Sequence, residues 1–140
     1  MDGFKGNIEK ETLANENFRK VLYTGKHLQL VLMSLKAGED IGEETHYWND
    51  QFFRFESGSG TCVIDDNEYS VKEGEVIIVP AGAKHNIINT GTSAPFKMYT
   101  LYGPPNHKDG TILATKEDAE KHAEQYDGKT TEKMETAGIY

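Results

Sequence analysis

Gly74-Glu75-Val76-Ile77-Ile78-Val79-Pro80-Ala81-Gly82-Ala83-Lys84-His85-Asn86-Ile87-Ile88-Asn89 decides how this chain folds. A glycine turn leads into an apolar run of strand length, and Pro80-Ala81-Gly82 then forces a tight corner. A second strand opens on His85. Side chains alternate along a strand, so His85, Ile87 and Asn89 share one face. The corner sets the histidine at a fixed height, aimed into the mouth of a barrel. Outward from this stretch, the chain reads as short β-segments: Val21–Thr24, Leu28–Leu35, Gln51–Glu56, Thr61–Ile64, Tyr69–Val71, Val76–Pro80, His85–Asn89 and Phe96–Tyr102. The breaks between them carry glycines and Asp65-Asp66-Asn67, residues that tolerate turn conformations. Strands at this even spacing, with no helical pattern between them, predict an all-β sandwich or barrel.

The flanks read differently. Residues 1–19 form an N-terminal arm, 20–114 the barrel, and 115–140 a C-terminal helix and tail. Thr115 with Asp118 is a helix start, because the hydroxyl caps free amides and the acid suits the positive end. Ala119, His122 and Ala123 supply a thin apolar stripe, with Gly128 as the expected stop. At 140 residues the chain is about one domain long. A charged fraction of 27% beside 10% aromatics argues against general disorder. The net charge of −8 disfavours nucleic acid and anionic membrane surfaces, which need a cationic face. No apolar run is long enough to span a bilayer, and the polar start lacks a signal core, so a cytoplasmic protein is expected. The single cysteine, Cys62, excludes an intrachain disulfide and a cysteine-rich zinc module. Its apolar strand makes it an inert buried thiol.

The run from Gly74 to Asn89 fits G-x5-P-x-G-x2-H-x3-N at every fixed position, which is the second motif of the cupins. The chain resembles the small single-domain cupins from about Lys20 to Thr115, more closely the branch labelled mannose-6-phosphate isomerase-like. E-T-H at 44–46, D-Q-F-F-R-F-E-S-G at 50–58 and Y-G-P-P-N-H-K-D-G-T at 102–111 carry the same likeness. The resemblance implies a double-stranded β-helix, the cupin jelly-roll barrel, with one metal in its mouth and commonly a homodimer. It implies no reaction.

The first cupin motif, G-x5-H-x-H-x3-4-E-x6-G, is present in altered form. With its last glycine on Gly58, Gln51 stands where the family has glutamate, His46 is the second histidine, and Glu44 replaces the first. Glu44, His46, Gln51 and His85 are the resulting metal-ligand candidates: three neutral groups and one carboxylate, as in the common set, with the charge moved. Such an oxygen-and-imidazole set suits one divalent transition metal, Mn²⁺, Fe²⁺, Zn²⁺ or Ni²⁺. Gln51 is a weak ligand that either binds the metal or contacts its water.

Each candidate also has a plain reading. His46 and His85 fit hydrogen-bonded core histidines, Glu44 a solvated loop acid, and Gln51 a non-ligand polar residue. Asp50 is the rival acid, but alternation turns it away from Gln51, Phe53 and Phe55. Tyr47-Trp48 either borders a ligand mouth or closes the barrel. His107 either reaches the site or pins its loop, and His27 and His122 read as surface residues. Tyr99, Leu101 and Met33 are candidate cavity residues whose inward face alternation leaves open. Arg54 is the cation nearest the motifs, on the face opposite Gln51, and no phosphate-binding cluster of Arg or Lys accompanies them. The expected function is metal-dependent chemistry of isomerase or lyase type on a small sugar or keto/hydroxy acid, with Glu44 or a bound water moving the proton. An iron-dependent dioxygenase and a non-catalytic metabolite sensor are the alternatives.

Overall fold

The computed structural model describes residues 1–122 and 124–133. Among these residues, ten strands form two antiparallel sheets. They are β1 (Arg19–Thr24), β2 (Gln29–Leu35), β3 (Glu44–Thr45), β4 (Asp50–Ser57), β5 (Ser59–Ile64), β6 (Asn67–Lys72), β7 (Val76–Val79), β8 (Lys84–Ile88), β9 (Phe96–Gly103) and β10 (Ile112–Leu113). One sheet has the order β10-β1-β2-β9-β4-β7, and the other β3-β8-β5-β6. This is the expected jelly-roll, and the eight segments read from the sequence are all strands within a residue or two of their ends.

The core lies between the two sheets. Phe53 and Phe55 of β4, Met98 and Tyr102 of β9, Val31 and Met33 of β2, and Cys62 and Ile87 of the smaller sheet are buried in it. Phe55 stacks on Phe53 at 6.3 Å and on Phe96 at 4.8 Å, and each ring contributes roughly 1.5–3 kcal/mol by leaving water. Gly58 turns the chain from β4 to β5 with φ +90°, and a Cβ there would stand 2.7 Å from the Pro95 carbonyl oxygen. Only glycine fits that corner.

The N-terminal arm contains a helix that the sequence does not announce. Helix α1 (Ile8–Ala14) starts on Asn7, whose side chain accepts from the Lys10 amide, and it packs on β2, β4 and β9. Lys97 of β9 donates its ammonium to the carbonyls of Leu13 and Asn15, meeting the negative end of that helix. At the other terminus, helix α2 (Lys116–Lys121) opens with the expected cap: Thr115 accepts from the Asp118 amide, and Asp118 reaches back to the Thr115 amide. It stops at His122, well before Gly128. Among the described residues of this segment only Ala119 packs on the core, little apolar contact for a longer helix. Ala123 and the end of the tail lie outside the described residues. None of the described helices is long and apolar enough to cross a membrane.

Candidate metal centre

Sequence-distant segments meet at one end of the barrel. Strand β3 pairs with the first residues of β8, so that Glu44 stands directly opposite His85. The turn before β8 is tied to the same place. Gly82 takes φ +91°, and its amide donates to the His46 carbonyl at 2.9 Å, while the Ala83 amide closes the corner on Pro80. Asp50 fastens that turn from outside by accepting the Ala81 amide at 2.9 Å. Its carboxylate is therefore employed at an exposed corner, as the alternation of β4 predicts.

Glu44, His46 and His85 come together. One ligand atom from each lies within 4.8 Å of the others. His46 Nε2 is 2.9 Å from Glu44 Oε2, and the two imidazole centroids are 5.2 Å apart. His85 donates from Nδ1 to the Ala83 carbonyl at 3.1 Å, which fixes its tautomer and leaves the Nε2 lone pair free. That Nε2 is fully buried without a hydrogen-bond partner among the described residues. An imidazole oriented in this way by a backbone carbonyl has the arrangement of a metal-binding histidine.

Gln51 lies on the inward face of β4, 2% exposed, opposite Tyr102 on β9. Its amide nitrogen donates to Thr100 Oγ1 at 3.0 Å, and its Oε1 is the second buried orphan acceptor. The unpaired His85 acceptor beside the Glu44 carboxylate fits a cation, since leaving a buried acceptor unpaired costs on the order of 1–3 kcal/mol. The donor set fits a divalent metal on chemical grounds as well, being imidazole and oxygen without thiolate.

Burial works to raise the Glu44 carboxyl, but the hydrogen bond and charge of His46, followed by the charge of Arg19, hold it below its ordinary value. His85 is pushed down by burial against its bond to Ala83, so its imidazole is neutral and available. Burial, with the Arg19 charge adding to it, drives His107 down to about 3.

A cleft of about 570 Å³ opens above Glu44 and His46. Tyr47 and Trp48 stand on its rim, 71% and 85% exposed, and so border the mouth rather than close the barrel. The exit loop 104–107 forms the opposite wall. Buried Gln29 pins it, accepting the amides of Asn106 and His107 and donating to the His107 carbonyl. Asn49 adds donors to the Pro104 and Pro105 carbonyls. His107 lines the cleft but belongs to the wall: its Nε2 accepts from the Tyr102 phenol at 3.1 Å. Tyr102 in turn sets its ring edge against His46.

Other candidates separate cleanly. Met33 is core, while Tyr99 and Leu101 are half-buried on the other face of β9. Arg54 reaches Glu56, 3.1 Å away, and is not at the site. Arg19 is the cation that lines the cleft, and sequence reading misses it. The only sequence signal is its alternation with inward Val21. His122 also lines the cleft, whereas His27 does not.

A Cupin domain model matches residues 31–102, a span holding all four candidate donors. The chain belongs to the cupin family. Among relatives of this cupin, the Bacillus subtilis protein YrkC is 47% identical over 122 residues, covering 83% of this chain and 65% of YrkC. The chain thus spans about two thirds of that relative. A protein of Acanthamoeba polyphaga mimivirus is 43% identical over 109 residues, 76% of this cupin and 68% of its own length. The crystal structure of BH2720 from Bacillus halodurans matches with a TM-score of 0.84 at 42% identity, covering 86% of this cupin and 96% of that chain.

Proposed function

We propose that this cupin is a metal-dependent enzyme acting on a small oxygenated molecule, with Glu44, His46 and His85 holding one divalent transition metal. The observation that carries the reading is the convergence of three ligand atoms within 4.8 Å around a buried, unpartnered His85 Nε2. Gln51 Oε1 completes the set, as a ligand or through a metal-bound water. Bound there, a divalent ion polarises a substrate carbonyl or hydroxyl as a Lewis acid. Glu44 does the proton work. Its side chain is 31% exposed toward the cleft and ionised, which leaves a carboxylate oxygen accessible to a substrate proton. The wall built by Gln29 and Asn49 keeps the exit loop fixed above the reacting groups, and Tyr102 orients the His46 ring. Isomerase or lyase chemistry on a sugar or a keto/hydroxy acid agrees with a cleft of this size.

A second copy of the chain is proposed as partner. Ile78, Phe52, Leu101, Leu30 and Tyr23 stand side by side across five strands, an apolar row on the outer face of the larger sheet. Elemental analysis of untagged protein tests the metal centre. Wild type should carry about one metal per chain, and His46→Ala with His85→Ala should carry none while keeping its β-sheet circular dichroism. A full complement of metal in that double variant overturns the reading.

A further inference from the structure

Of the two arginines, Arg54 stands beside Glu56, whereas Arg19 forms no ion pair with an acid among the described residues. It projects from β1 on the same face as Val21 and is 8% exposed. Its Nε is fully buried without a hydrogen bond, and among the described residues no carboxylate forms an ion pair with it. Its Cζ lies 5.3 Å from the Phe18 ring centroid, which orients the fork without neutralising it. A guanidinium stays charged under any ordinary condition, so it cannot relieve this burial by losing a proton. Buried charges in proteins are normally paired, because an unpaired one is costly.

Arg19 lines the same cleft as Glu44 and His46. Glu44 is already engaged by His46, and Glu124, another acid of the cleft wall, makes no ion pair with Arg19. We propose that Arg19 is the receptor for the carboxylate of the substrate, and that the substrate is a small 2-hydroxy or 2-oxo acid whose neighbouring oxygen faces Glu44 and His46. The proposal deepens the metal-centre reading and rests on it for the second contact. A planar fork of five donors matches a carboxylate in two parallel hydrogen bonds. The described cleft lining holds no lysine and no second arginine, so a phosphate dianion would meet only one permanently charged side chain. That favours an acid over a sugar phosphate.

The test compares lactate and pyruvate with the neutral isostere lactamide, using melting temperature and titration calorimetry on metal-loaded protein. At ~10 mM the two acids should raise the melting temperature of wild type and lactamide should not. Arg19→Met should weaken lactate binding at least ~10-fold while keeping the wild-type metal content. Without ligand, the same variant should melt at or above wild type, because an unpaired buried charge has gone; a merely structural arginine predicts the reverse. If Arg19→Met does not fold, Arg19→Lys decides: it keeps the charge and an acid-over-amide preference but loses the two-bond fork, so lactate should bind more weakly than to wild type. Equal lactate stabilisation of wild type and Arg19→Met, or no stabilisation of wild type by either acid, overturns the proposal. The His46→Ala, His85→Ala protein separates the two readings. An acid-over-amide preference found in a protein whose wild type binds no metal leaves Arg19 standing and removes the metal centre. Metal retained with no such preference does the opposite.

Discussion

His107 should make this protein acid-sensitive in a way that one substitution removes. Its imidazole is 9% exposed and accepts from Tyr102, so the native state keeps it neutral down to about pH 3, whereas an unfolded histidine titrates near 6.5. The folded value is depressed, so the unfolded chain holds the extra proton between those limits. Stability from this group is complete above 6.5 and is lost as pH falls. The slope is about 1.4 kcal/mol per pH unit, which amounts to ~2.7 kcal/mol by about pH 4.5. Other groups contribute their own pH dependence, so the comparison is with His107→Gln, which retains an acceptor for the phenol but has no proton to gain. Urea unfolding followed by circular dichroism, in chelator and at several pH values from about 7.5 to 4.5, gives both curves. Whatever the offset at neutral pH, the gap between variant and wild type should shift in favour of the variant by ~2.7 kcal/mol at the acid end. A constant offset across the range would mean that native His107 takes its proton as readily as the unfolded chain does, and the burial reasoning would fall.

Other outcomes follow from the same wall and donor set. Glu44→Gln should weaken metal binding at least ~10-fold in a chelator competition, by removing the charged donor. Gln51→Glu should hold or raise affinity, and Asp50→Asn should leave it unchanged because that carboxylate caps the Ala81 turn; loss of metal in Asp50→Asn with wild-type binding in Glu44→Gln would reverse the assignment. Gln29→Leu strips partners from the Asn106 and His107 amides and the His107 carbonyl, at ~1–3 kcal/mol for each group left unpaired. Those two amides should then exchange with solvent faster than in wild type, and unchanged exchange would show that Gln29 does not hold the loop. Light scattering at micromolar concentration should give the mass of two chains, and one subunit's mass would remove the dimer.

The centre was legible where local spacing encodes geometry. Pro80, Gly82 and His85 describe strand, corner and strand within a few residues, and alternation alone sent Asp50 outward and Gln51 inward. The pairing of Glu44 with His85 follows from the register of two strands far apart in the chain, which only the family motif made readable. Arg19 stayed hidden because its burial depends on β1 lying between β10 and β2 with its inward face at the cleft, a fact of topology rather than of neighbours. Helix α1 was hidden for another reason. Only Thr12 is buried in it, so it carries almost no apolar period, and a lysine eighty-odd residues away meets its carboxyl end. The C-terminal helix start was plain in Thr115 and Asp118, but its length was not, since Gly128 marks a turn-tolerant position with φ +86° and no helix reaches it.

Trp48 is the sole tryptophan in the chain, and it stands 85% exposed on the rim of the cleft. All indole emission therefore comes from one place, a few residues beyond Glu44 and His46. A water-facing indole emits at long wavelength, and any molecule that seats against the rim changes its solvation. The protein thus carries its own optical reporter at the entrance, uncontaminated by signal from the core, and cleft occupancy can be followed in solution without a label.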